Sequence, residues 1–287
     1  VIDPLFNREL SRRRRLKHAV FLILKAVLAP ILWVTMRFRA FGRQAIPKRG
    51  GAVLVANHVH NADPLLIYAA MPRPILWMTK AEVWRYPIIR WVAAQGGAFA
   101  VQRQKVDTAA LAHAEALLND GLIVGLFPEG TRSTTGSLST PFRGACLLAL
   151  RAGAPVMPVA IVGTTDLPFN GKKQARRQRR WPSVTVHFGE PFMLAAHAPD
   201  GRRYRLEELA DAIMIEIARL LPSQMRGIYA GRCDASHPAV QRGDVLFTGP
   251  GQPGARDLTR RNGKLNHVVQ PTRQPTATRD ADTTNVP

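Results

Sequence analysis

Short apolar runs separated by longer amphipathic ones set the first expectation for residues 51–222. Ala52–Ala56 (AVLVA), Ile75–Thr79, Ala98–Val101, Ile123–Phe127, Val156–Val162 and Val184–Phe188 are brief apolar segments, several rich in β-branched residues and closed by Gly, Pro or Asn. They predict strands. Between them, Leu65–Ala70, Thr108–Leu118, Gly144–Arg151 and Leu206–Leu221 predict helices. In the last, Leu206, Leu209, Ile213, Ile217 and Leu220 recur three or four positions apart and so line one face. Strands and helices in alternation predict an α/β domain with a mixed, largely parallel sheet flanked by helices.

The pattern changes at both ends. Residues 19–36 (AVFLILKAVLAPILWVTM) are apolar except for Lys25 and Thr35, with Pro30 in the run. A spanning helix needs about 20 apolar residues, so this run is marginal. Arg12, Arg13, Arg14, Arg15 and Lys17 precede it and Arg37, Arg39 and Arg43 follow, which places both ends on the cytosolic side of a membrane. A re-entrant or in-plane helical segment bent at Pro30 fits that bias, and no small-residue cleavage site follows before Arg37. Beyond Gly249, residues are rich in Pro, Gly, Thr, Arg and Asp and lack apolar periodicity, so they predict a disordered tail. The expected organisation is a membrane-associating segment at 1–44, the α/β domain at 45–222, an undecided extension at 223–248 and the tail at 249–287.

Composition narrows the partners. Forty Lys and Arg against 20 Asp and Glu give a formal charge of +20, which attracts nucleic acid, anionic lipid or phosphorylated substrate alike. Part of that charge is a dense loop, Lys172, Lys173, Arg176, Arg177, Arg179 and Arg180, followed by Trp181. A basic run beside an aromatic suits an anionic bilayer surface, an acidic carrier protein or the phosphates of a coenzyme, and it also suits a merely solvated loop. Cys146 and Cys233 are the only cysteines and form no CxxC pair. Neither a zinc site nor a disulfide framework is expected, and a reducing cytosol fits.

The segment ANHVHNADPLL carries the sharpest chemistry. His58 and Asp63 are about 140° apart on a helix and on opposite faces of a strand, so only a turn between elements brings them together. Pro64 follows Asp63, which predicts a helix starting there with Asp63 as its N-cap. An imidazole folded back onto that carboxylate is the His–Asp half of a hydrolase triad. No serine or cysteine accompanies it in a nucleophile-elbow setting, so the nucleophile would be a hydroxyl of the substrate. His60 competes with His58 for this role, and a capping aspartate beside a loop histidine is the bland alternative.

A second block, Leu126–Ser133 (LFPEGTRS), closes an apolar strand, where ligands bind in α/β sheets. There Glu129 can accept from a hydroxyl, Gly130 lets the backbone approach closely, Thr131 follows it, and Arg132 can grip a phosphate. In a third, GGAFAVQR, a Gly-Gly turn leads to Arg103, a candidate second phosphate contact. The fourth, VMPVAI, is an apolar strand containing Pro158.

Together and in this order, the four blocks resemble the lysophospholipid acyltransferase family, in particular its 1-acyl-sn-glycerol-3-phosphate acyltransferases. The family patterns N-H-x4-D, G-x-x-F-x-x-R, F-P-E-G-T-R-S and V-P-V read here Asn57–Asp63, Gly97–Arg103, Phe127–Ser133 and Met157–Val159, and the resemblance runs from about Ala45 to Pro222. Gln102 stands where the family often has an acidic residue, and Met157 where it has a smaller aliphatic one. The first pattern selects His58 over His60.

The resemblance implies a division of roles: His58 as general base held by Asp63, Arg103 and Arg132 on the acceptor phosphate, and Glu129, Gly130 and Thr131 placing the glycerol. It implies transfer of a fatty acyl group from acyl-CoA or acyl carrier protein to the sn-2 hydroxyl of 1-acyl-glycerol 3-phosphate, with no metal and no bound cofactor, at the cytoplasmic face of the cell membrane. The partners it implies are an anionic membrane surface, the lysophospholipid and the acyl donor, without nucleic acid. Two alternatives stay open: the same chemistry on another lysophospholipid, glycerol 3-phosphate or a glycolipid, and a basic nucleic-acid-binding or membrane scaffold protein.

Overall fold

The computed structural model describes residues 26, 30–32, 34–80, 98–101, 107–167 and 182–242. Arg103, the basic loop at 172–181, most of the apolar run at 19–36 and the tail at 249–287 lie outside these. Among the described residues no helix is long and apolar enough to cross a membrane.

Among the described residues seven strands form one sheet: β1 (Arg39–Phe41), β2 (Ala52–Ala56), β3 (Ile75–Lys80), β4 (Phe99–Val101), β5 (Ile123–Leu126), β6 (Val156–Val162) and β7 (Thr185–Phe188), in the order β1-β7-β6-β2-β5-β3-β4. The pairs β2–β5, β2–β6, β3–β5, β3–β4 and β1–β7 are parallel, and β6–β7 is antiparallel. The sheet is therefore mixed, with one reversal near an edge. Among the described residues, the helices that flank it are α1 (Asp63–Ala70), α2 (Thr108–Asn119), α3 (Gly144–Ala152) and α4 (Leu206–Leu220).

β2 lies at the centre, buried at every position, and its alternation builds two cores. Val53 and Val55 point into the cluster shared with α2, α3 and α4, which includes Leu118, Leu148 and Ile213. Ala52, Leu54 and Ala56 point into the opposite cluster, with Ile67 and Met71 from the α1 region and Leu32 from the N-terminal side. Period-2 alternation thus reads as apolar on both faces because helices cover both sides. The helix ends are held locally. Asp107 accepts the Ala110 N–H at 3.0 Å ahead of α2, and the Glu208 carboxylate takes the Arg205 N–H at 2.7 Å ahead of α4.

Several expectations require correction. β5 stops at Leu126 rather than Phe127, because Phe127 turns out of the ladder toward the loop after it. Helix α1 starts at Asp63 and its N-cap is Ala62, in helical geometry, with no side-chain cap bond. Asp63 is therefore not the N-cap; its carboxylate turns back into the preceding loop. The sequence pattern did not announce β1, a three-residue edge strand containing a charged residue. Nor did it announce the two-stranded pairing of β8 (Met193–Leu194) with β9 (Val240–Gln241). Through β9 and the buried Tyr229, residues after Pro222 pack onto the fold as far as Arg242.

Candidate active site

β2 and β5 are adjacent and parallel, so the residues that follow them emerge side by side at one edge of the sheet. After β2 the side chain of Asn57 continues the ladder that its backbone leaves. Its Nδ2–H donates to the Ile161 carbonyl at 2.9 Å and its Oδ1 accepts the Ile161 N–H at 2.8 Å. That pair of bonds fixes the start of the loop on β6.

The loop then folds around one carboxylate. Asp63 Oδ2 lies 2.8 Å from His58 Nδ1 and accepts the backbone N–H groups of Val59 at 2.6 Å and His60 at 2.7 Å. Asp63 sits in the first turn of α1, where the positive end of the helix favours an anion. With Nδ1 bearing its proton toward Asp63, Nε2 is the basic nitrogen. Asp63 is sealed from solvent while the His58 side chain keeps 16% of its surface exposed, so only the imidazole is within reach of a substrate. His60 is buried, and its Nδ1 accepts the Ala62 N–H at 3.0 Å. Of the two histidines, the ring facing the carboxylate is that of His58.

The loop after β5 clamps His58 from the other side. The His58 carbonyl accepts the Ser133 N–H at 2.7 Å, and its own N–H points at Glu129 Oε1, 3.4 Å away. Glu129 Oε2 takes both the N–H of Ser139 at 3.0 Å and its hydroxyl at 2.8 Å. Burial pushes the Glu129 carboxyl above the usual carboxylate range, against these hydrogen bonds, which favour its ionised form. Phe127 lies flat on the imidazole, centroids 4.0 Å apart and planes 17° apart, and Trp77 lies on Phe127 at 4.9 Å and 5°.

The remaining expected positions divide. Gly130 adopts φ +67°, a left-handed turn that favours glycine, and a Cβ there would stand 2.6 Å from the exposed Phe142 ring. Thr131 is exposed and Arg132 half-buried beside it. Glu129, expected to meet a glycerol hydroxyl, is only 2% exposed with both oxygens engaged inside the protein. Pro158 is in the middle of β6, where its carbonyl accepts the Gly189 N–H at 2.8 Å. Sequence reasoning gave no role to the Asn57 amide, the Phe127 ring or Ser139. The first two lie inside quoted motifs, whereas nothing about Ser139 marked it.

The site can take a proton from a hydroxyl and hold the resulting imidazolium against a buried anion. Burial raises the Cys146 thiol to about 12, so it is no nucleophile at neutral pH. Among the described residues no cluster of His, Cys, Asp or Glu could hold a metal ion.

Comparison with known proteins agrees with this chemistry. The Acyltransferase family model matches residues 37–162, which contain the whole constellation. A 1-acyl-sn-glycerol-3-phosphate acyltransferase of Borreliella burgdorferi is 28% identical over 149 residues, 51% of this chain and 60% of that protein. A lyso-ornithine lipid O-acyltransferase of Pseudomonas aeruginosa is 38% identical over 125 residues, 41% of this chain and 47% of that one. The chain thus spans about three fifths or less of the length of these relatives. The crystal structure of the 1-acyl-sn-glycerophosphate (LPA) acyltransferase PlsC from Thermotoga maritima superposes with a TM-score of 0.52 at 25% identity, covering 74% of this chain and 80% of that one. The motifs, the site geometry and these matches agree: residues 37–162 match the Acyltransferase family, and the chain is similar to 1-acyl-sn-glycerol-3-phosphate acyltransferases.

Proposed function

We propose that the protein transfers a fatty acyl group from a thioester donor, acyl-CoA or acyl carrier protein, to the sn-2 hydroxyl of 1-acyl-glycerol 3-phosphate, giving phosphatidic acid. The observation that carries this reading is the His58–Asp63 pair at 2.8 Å, with its imidazole partly open to solvent and its carboxylate sealed. The acceptor hydroxyl gives its proton to His58 Nε2 as its oxygen attacks the thioester carbonyl. The C–S bond then breaks, and the thiolate leaves with the proton returned by the imidazolium. Asp63 steadies that cation. Arg132, beside the site on the loop after β5, and Arg103 grip the acceptor phosphate, while Gly130 and Thr131 shape the turn that meets the glycerol. The buried, fully engaged Glu129 supports a role in holding the His58 loop rather than in touching the acceptor.

The protein works at the cytoplasmic face of a membrane, with the residues ahead of β1 as its anchor and residues 39–242, from β1 onward, as its catalytic unit. β1 runs antiparallel to β2, so its first residue is at the edge of the sheet that carries the site, and the residues just before it include exposed Ile31 and Val34. Exposed Phe142 packs over Gly130 at the same edge. Apolar side chains around a lipid-processing site suit a bilayer surface.

A second acceptor is favoured by one observation, the 38% identity to a lyso-ornithine lipid O-acyltransferase. Purified protein assayed with acyl-CoA and with acyl carrier protein, against both 1-acyl-glycerol 3-phosphate and lyso-ornithine lipid, separates the two. The primary reading expects phosphatidic acid as the faster product. Exclusive acylation of lyso-ornithine lipid replaces it with the second.

A further inference from the structure

Trp77, Phe127 and His58 form a run of three near-parallel rings leading from β3 to the imidazole. The indole is buried, and its Nε1–H has no hydrogen-bond partner among the described residues. An unpaired buried N–H is a stability cost that leucine or phenylalanine at this position would avoid. The neighbouring strand makes room for it. Gly125 pairs in register with Trp77, and a Cβ there would stand 2.8 Å from Trp77 Cε3 and 2.6 Å from Ile75 Cγ2. β5 therefore gives up a side chain, within an otherwise apolar IVGL, at the one position facing the indole.

We propose that Trp77 is a positioning residue for the base: seated in the slot left by Gly125, it holds the Phe127 ring flat, and Phe127 in turn holds the plane of His58. The inference rests on the acyl-transfer reading given above. An offset stack resists rotation of Phe127, because turning the ring loses contact with both neighbours. With the imidazole plane held and Nδ1 on Asp63, the direction of Nε2 is determined. When His58 takes a proton, the aromatic face beside it also attracts the new charge. Trp77 touches neither acceptor nor donor in this scheme, so its loss acts on turnover and not on substrate affinity.

The experiment compares wild type with Trp77→Leu, Trp77→Met, Trp77→Phe and Gly125→Ala, each first shown to be folded by circular dichroism and thermal melting. The imidazole resonances of His58, identified by their absence in His58→Ala, carry a ring-current displacement from Phe127. They move toward the unstacked position in Trp77→Leu, Trp77→Met and Gly125→Ala, and stay near wild type in Trp77→Phe. Turnover follows, with kcat lowered about 10- to 100-fold where the resonances move. KM for acceptor and donor stays within about twofold, the signature of an interaction that acts on the transition state alone. Trp77→Phe recovers most of the rate.

Gly125→Ala keeps the indole and crowds it, so it carries the test if removing the ring prevents folding. Unmoved His58 resonances in the folded variants overturn the proposal, as does a raised KM with kcat unchanged. Displaced resonances together with a wild type that acylates no lysolipid support the stack and refute the functional reading instead.

Discussion

Asp63 Oδ2 holds His58 Nδ1 at 2.8 Å with the same oxygen that takes the Val59 and His60 N–H groups, while Oδ1 is buried without a hydrogen-bond partner among the described residues. One oxygen therefore fixes both the base and the loop that carries it. In Asp63→Asn the amide oxygen can replace Oδ2 with the NH2 at the place of Oδ1, so the loop survives and the charge is lost. Loss of the anion behind a catalytic imidazole costs on the order of 10⁴-fold in related His–Asp chemistry. Steady-state kinetics should show such a fall in kcat with a melting temperature close to wild type. Activity within tenfold of wild type would remove Asp63 from the mechanism.

Asn57 anchors the loop from its other end. Asn57→Ala leaves the N–H and C=O of Ile161 without their side-chain partner at a buried strand. Each unpaired buried group costs about 1–3 kcal/mol. The expected loss is roughly 2–4 kcal/mol, read as a drop of about 5–15 °C in melting temperature. An unchanged melt would mean that β6 holds these groups without Asn57.

Glu129 links pH to stability. Burial raises its carboxyl above the ordinary carboxylate value, so between the unfolded and folded values the folded state binds more protons. Stability from this group is then full below the unfolded value and falls as pH rises through the folded one. Glu129→Gln, neutral at every pH, loses that dependence. Wild type should therefore lose stability relative to Glu129→Gln as pH climbs from about 4 toward neutrality, a difference measurable by denaturant titration. The opposite slope would show that the bonds from Ser139 and His58 outweigh burial.

Much of the fold was legible because the strands that build it are short apolar runs with little else to be. β2, β5 and β6 are buried on both faces and carry no competing helical period. β1 was not legible, since an exposed edge strand of three residues leaves too little pattern, and neither was β9, which pairs with β8 from the far side of residues 195–239. At the site, the spacing of His58 and Asp63 called for a turn, and a turn is what joins them. What spacing cannot express is which way a side chain faces once the turn forms. Asp63 turned back toward the loop instead of capping its helix, and Glu129 turned inward to Ser139, a residue ten positions on that no motif marks. The Trp77 stack was equally hidden, because the three rings come from three separate elements.

The most direct test of the central claim is acyl transfer to 1-acyl-glycerol 3-phosphate by wild type and His58→Ala, with folding of both confirmed by thermal melting. The substitution leaves the loop's backbone bonds to Asp63, Glu129 and Ser133 in place, so the fold should hold. Removal of the general base should lower kcat by about 10²–10⁴-fold or more. A folded His58→Ala protein that turns over at the wild-type rate would contradict the account.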